Sequence, residues 1–80
     1  MPDLEFTQTT GNSRYRFCDV CYLGNPLFEV VERMFEREIL VYDIGLGCDK
    51  SVGTFRLDDY KSRAAAFASI KEYCLKRIEK

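Results

Sequence analysis

The sequence predicts a small two-layer α+β domain, ββα-ββα in order, with an antiparallel sheet and two helices on one face. Three observations predict it. Four stretches alternate apolar and polar residues or are rich in β-branched and aromatic ones: 4–8, 14–22, 38–45 and 51–57. Two others, 26–37 and 60–79, carry apolar residues at helical spacing. Clusters of Gly, Asn and Thr punctuate them. A sheet whose helices share one face makes a two-layer domain with the other face open.

Residues 4–8, Leu-Glu-Phe-Thr-Gln, alternate in the strand period. The turn cluster Thr9-Thr10-Gly11-Asn12 leads into Arg-Tyr-Arg-Phe-Cys-Asp-Val-Cys-Tyr over 14–22. Two such runs joined by a short Gly-containing turn predict a hairpin. Gly24-Asn25-Pro26 then breaks the strand, with Asn25 suited to an N-cap and Pro26 to the first helical position. Leu27, Val30, Val31, Met34 and Phe35 follow at i, i+3, i+4, i+7 and i+8, which predicts a helix over 26–37. A continuous strand through Val30 and Val31 is the competing reading, because no Gly or Asn C-cap closes the segment.

Residues 38–45, Glu-Ile-Leu-Val-Tyr-Asp-Ile-Gly, predict a strand, 45–50 a loop, and 51–57 its returning partner. Asp58 and Asp59 are placed to cap the next element. Over 60–79, Tyr60, Ala64, Phe67, Ile70, Cys74 and Ile78 form a stripe at helical spacing, and Ala64-Ala65-Ala66 favours helix. The two halves share a layout but their side chains do not align as a repeat.

Composition narrows the function classes. With 46% hydrophobic and 31% charged residues, the chain is too apolar for disorder. Eighty residues predict one domain with a thin stability margin. No apolar run reaches the roughly 18 residues of a membrane span, and Met1-Pro2-Asp3-Leu4-Glu5 lacks the basic and apolar regions of a signal peptide. A cytoplasmic location without membrane contact is the expectation. The formal charge of −1 is uneven: residues 1–59 hold six basic and eleven acidic side chains, while 60–80 hold six basic and two acidic. Basic residues late in a helix meet the negative pole of its dipole.

Histidine is absent, which removes the commonest general base, zinc ligand and partner of a Ser or Cys nucleophile. Neither GxxxxGK[ST] nor GxGxxG occurs, and Gly45-Leu46-Gly47 alone reads as a turn. Adjacent carboxylates at Asp58 and Asp59 point in different directions on a helix start and read as a cap. No enzymatic activity and no cofactor are expected. Cys18-Asp19-Val20-Cys21 has the spacing of a zinc knuckle or redox pair, but a structural zinc site needs four ligands, usually as two close pairs, and Cys48 and Cys74 stand apart. On one flat strand Cys18 and Cys21 face opposite ways. Free thiols, with no bound metal, are the expectation.

The uncovered sheet face carries the functional expectation. If Phe17, Phe55 and Leu57 point at the helices, then Arg16, Thr54 and Arg56 point outward. The strand at 38–45 is apolar on both faces, with Ile39 and Val41 on one and Leu40, Tyr42 and Ile44 on the other. Such a strand is covered twice or exposes a patch. The cover is a second copy, a different protein, or the N-terminal segment. The acidic first helix, with Glu29, Glu32, Glu36 and Glu38, offers a second surface for a basic partner.

Two functions in different classes follow. The first is a non-catalytic protein–protein interaction module that binds through Tyr42, Arg16 and Arg56 or through Glu29, Glu32 and Glu36, and it includes a homodimer. In size, lack of catalytic groups and sheet-plus-helix layout, the chain is similar in general character to small phage-borne anti-defence proteins such as anti-CRISPRs. That resemblance implies an inhibitor of a host system carried by a phage or mobile element. The second is a nucleic-acid binder, with Arg14, Arg16 and Arg56 beside Tyr22 and Tyr42 forming a basic platform on which bases stack. A sequence pI of about 5.4 lies well below the usual basic footprint and ranks this reading second.

Overall fold

The computed structural model describes residues 4–47 and 50–78. Its order is β1 (Leu4–Gly11), β2 (Tyr15–Tyr22), β3 (Asn25–Arg33), β4 (Glu38–Asp43), β5 (Gly53–Arg56) and one helix, α1 (Arg63–Ile78), with short 3-10 turns at Ile44–Leu46 and Leu57–Asp59. All five strands form one antiparallel meander in chain order. The expected ββα-ββα arrangement is therefore corrected: among the described residues there is a single α-helix, at the C-terminal end, and the first expected helix is a strand.

The reason lies between residues 22 and 37. Tyr22, Leu23, Gly24 and Asn25 make a two-residue hairpin loop, with φ of 52° at Leu23 and 82° at Gly24. A loop with two positive φ values matches the twist of flanking strands and sends the chain straight back beside β2. Asn25 and Pro26 thus start a strand instead of capping a helix. Phe28, Val30 and Glu32 alternate onto one face, where all three are buried. The helical spacing of Leu27, Val30, Val31, Met34 and Phe35 arises from two strand faces read together, with the last two residues in the β3–β4 turn.

Both predicted hairpins form. In the first, Asn12 Oδ1 accepts from the backbone N–H groups of Arg14 and Tyr15 at 2.8 and 2.9 Å, so a side chain sets the turn. In the second, Ile39 and Val41 are fully buried, and Ile39 faces Phe55 on β5. Gly53 sits opposite Val41, where an added Cβ would meet the Tyr73 ring at 3.2 Å. The absence of a side chain there lets the helix approach the sheet.

Helix α1 lies across the face built by Leu4, Val20, Phe28, Val30, Ile39 and Val41. Its buried stripe is Ala66, Ile70 and Cys74, at i, i+4 and i+8. Ile70 and Cys74 belong to the predicted stripe, whereas Ala64 is exposed and Phe67 and Ile78 are half-buried. Phe67 meets Phe6 edge-on at 5.6 Å, and Tyr73 meets Phe55 the same way at 5.5 Å while its hydroxyl donates to the Val52 carbonyl at 2.6 Å. The helix thereby crosses from the β1 side at its start toward β5. Its N-cap is Ser62, whose Oγ accepts from Ala65 N–H at 3.1 Å. Asp58 and Asp59 do not cap it. They belong to the preceding 3-10 turn, and Asp58 accepts from Arg37 at 2.8 Å. No described helix is long and apolar enough to cross a membrane.

The hairpin loop makes a prediction. Leu23 is 81% exposed and held at positive φ, which costs an L-residue with a bulky side chain about 1–2 kcal/mol. Leu23→Asn should raise stability by up to about 1 kcal/mol in urea unfolding. Unchanged or lower stability would mean that the loop does not hold this conformation.

Candidate functional site

Sheet alternation sorts the site residues onto two faces. On the helix side of the sheet lie Phe6 and Gln8 of β1, Arg16, Cys18 and Val20 of β2, Val30 and Glu32 of β3, and Ile39 and Val41 of β4, in register across the ladder. Contacts to α1 fix the assignment: Phe6 with Phe67, and Glu32 with Arg63. The phase of β2 is therefore opposite to the expected one. Phe17 lies on the open face and Arg16 on the helix side, because Cys18 and Val20 supply the core residues of this strand. The expected outward positions of Thr54 and Arg56 agree with their exposure, and Phe55 faces the helix.

Glu32 is 5% exposed, the one buried charged residue among those described. A lone buried carboxylate is costly, and a bidentate guanidinium is the group best shaped to satisfy it. Arg63, from the first turn of α1, supplies both arms: Nη2 to Oε1 at 2.7 Å and Nε to each carboxylate oxygen at 3.1 Å. These hydrogen bonds to Glu32 hold the Arg63 guanidinium above its ordinary pKa. The same guanidinium stacks 4.5 Å above the Phe67 ring. A groove of about 290 Å³ opens beside this pair, lined by Phe6, Gln8, Arg16, Cys18 and Phe67. It exists because a helix about 10 Å wide cannot cover five strands spaced about 4.8 Å apart.

The thiols are divided by the same alternation. Cys18 lines the groove, while Cys21 lies opposite Pro26 at a bulge. Burial raises the Cys18 pKa, with the nearby Asp19 charge adding to it. Burial pushes the Cys74 thiol up to about 12. The thiolate is the nucleophile and the metal ligand, so both groups are held in their unreactive form at neutral pH. Cys48 lies outside the described residues.

The open face is ordered in rows. One row runs Phe17, Val31, Leu40, Thr54 across β2 to β5. On one side of it runs Thr7, Asp19, Glu29, Tyr42. On the other runs Tyr15, Arg33, Glu38, Arg56. Asp19 and Glu29 are directly opposed like charges, a pairing that is unfavourable in an isolated sheet. Arg33 is held by Glu38 at 2.6 Å and by Glu36 at 3.0 Å. Beyond this row the Arg14 guanidinium lies 5.4 Å from the Phe35 ring and 5.9 Å from that of Tyr15. Phe35 is 69% exposed.

Of the sequence-predicted site residues, Tyr42, Arg56 and Glu29 share the open face. Arg16 is on the other side at the groove, Glu32 is buried against Arg63, and Glu36 is in the β3–β4 turn. The acidic helix surface is thus corrected, since Glu29 and Glu32 project from opposite faces of one strand. Sequence reasoning missed that Phe17 and Val31, both half-buried, lie on the open face, and missed Arg63 as the partner of Glu32. An arginine 31 positions away leaves no local signal. No protein family, curated protein or solved structure matches the chain.

The buried ion pair has a measurable consequence. Arg63→Met strands the Glu32 carboxylate, and losing one partner of a charged hydrogen bond costs about 1–3 kcal/mol, toward the lower end because Arg63 is 52% exposed. The double variant Glu32→Met with Arg63→Met removes both charges and should recover most of that loss. Urea unfolding of the three proteins decides it. A double variant less stable than Arg63→Met would show that the pair itself, not the orphaned carboxylate, carries the free energy.

Proposed function

We propose that this protein is a non-catalytic protein–protein interaction module that binds through the open face of its sheet. One observation supports it above all: the five-stranded sheet has its helix on one face, while the other bears the apolar row Phe17, Val31, Leu40 with Tyr15, Tyr42 and Arg56 around it. Interface free energy concentrates in aromatic and Arg anchors surrounded by contacts that exclude water. A surface of apolar centre and charged margins has that anatomy. Inhibition of a host protein is the narrower form of this reading, suggested by the size and the lack of catalytic groups. An inhibitor of that kind acts by occupying a surface, and it needs these same features and no reaction chemistry.

The nucleic-acid reading loses its platform. Arg16 and Tyr22 fall on the helix side and Arg56 and Tyr42 on the open side, so the residues expected to form one platform are divided between the two faces. The open face also sets Asp19 and Glu29 where phosphates would run.

Immobilised protein should retain a specific partner from a lysate of its source cell. Tyr42→Ala and Arg56→Ala should each reduce retention at least tenfold, while Lys76→Ala on the exposed side of α1 should leave it unchanged. Equal retention by all three variants would displace the site from this face. Tight binding of single-stranded oligonucleotides at physiological salt, weakening steeply as salt rises, would reverse the functional reading.

A further inference from the structure

We infer that the occupant of the open face is a second copy of this chain, seated face to face about a two-fold axis that runs along the Phe17–Val31–Leu40 row. The inference rests on the reading of this face as a protein-binding surface and names its partner.

The charge pattern favours a second copy and suits this axis. An axis along the apolar row, in the plane of contact, leaves each strand over its own counterpart and exchanges the two flanking rows. Phe17, Val31 and Leu40 then meet their own copies. Glu29 meets the partner's Arg33, since both sit on β3 on opposite sides of the row. Asp19 likewise meets the partner's Tyr15, whose hydroxyl donates, with the Arg14 guanidinium beside that ring. Each contact off the axis occurs twice, as an isologous interface requires. An axis along β3 itself would instead set Glu29 against Glu29 and Arg33 against Arg33, like-charge contacts that disfavour it.

The arrangement also accounts for the opposed carboxylates of Asp19 and Glu29, which no described ion pair neutralises within one chain. Two sheets packed in this way form an aligned sandwich about 10 Å apart, with a helix on each outer surface. Five strands at about 4.8 Å spacing, with a few residues each at about 3.4 Å rise, project on the order of 500 Å² per copy. That is the low end for a specific interface, the class of weak and transient contacts, so weak association is expected.

Sedimentation velocity from about 5 to about 500 μM (a range suited to weak association) tests this on the wild type, on Glu29→Arg and on Arg33→Glu. The wild type should dimerise. Each variant alone places like charges together twice and should weaken association at least tenfold. In their equimolar mixture the introduced arginine of one variant meets the introduced glutamate of the other. The native Glu29 and Arg33 that remain, one on each copy, meet as they do in the wild type. The mixture should therefore dimerise about as well as the wild type. Should Arg33→Glu fail to fold for loss of its own pairs with Glu36 and Glu38, Leu40→Lys on the axis should leave a folded monomer. A wild type that stays monomeric throughout overturns the inference, as does a dimer indifferent to Glu29→Arg and Leu40→Lys. In the monomeric case the lysate experiment separates the two claims. Retention lost on Tyr42→Ala and Arg56→Ala removes only the second copy as partner, and retention unaffected by them removes the open face as well.

Discussion

One helix of sixteen residues faces a five-stranded sheet, and that mismatch organises the molecule. A strand buries its apolar side chains only where something covers them. Ala66, Ile70 and Cys74 press onto Val20, Val30, Ile39 and Val41, and this contact closes the core. It leaves two surfaces incompletely covered. Beside the helix, the groove at Phe6 and Phe67 marks where its width ends. On the opposite face there is no described helix, and the row Phe17, Val31, Leu40 is left without a covering layer among the described residues.

Charge placement follows from the same geometry. The core-facing carboxylate of Glu32 is admitted because Arg63 projects from the first turn of α1 directly over it. A buried ion pair is weak evidence for stability, since desolvation offsets its attraction. It does fix how the helix sits, because any other seating orphans the carboxylate. At the far end Arg77 reaches Asp43 at 3.4 Å. The helix is thus tied at both ends to core-facing positions of β3 and β4. The charges of the open face are arranged differently, with Asp19 and Glu29 on one side of the apolar row and Arg33 and Arg56, flanking Glu38, on the other.

Much of this was legible in the sequence, and the failures have identifiable causes. The alternation at 4–8 and the β-favouring runs at 14–22 and 38–45 announced β1, β2 and β4, the last ending two residues early at Asp43, and the stripe through Ile70 and Cys74 announced α1. Residues 26–37 misled for two reasons. Asn25-Pro26 is as good a helix opening as a strand entry after a tight loop, and Leu23 is an unusual residue at positive φ. A charged residue at a core position, Glu32, also hid the strand period of Phe28 and Val30. The phase of β2 failed because aromatic Phe17 outweighed Cys18 as a core candidate, although small Cys18 and Val20 are what fit beneath the helix side. Once β3 is a strand, the open face follows, and with it the grouping of Tyr42, Glu29 and Arg56 that a helical reading had kept apart.

The central claim is that the surface opposite the helix is a protein-binding face. Amide and methyl NMR spectra across a dilution series test it most directly, because they report which residues sense association. Concentration-dependent shifts are expected at Phe17, Glu29, Val31, Leu40 and Tyr42, with Ala66, Ile70 and Cys74 unmoved. Spectra identical at all concentrations and in the presence of any retained partner, or shifts confined to the groove around Phe6 and Phe67, would contradict it.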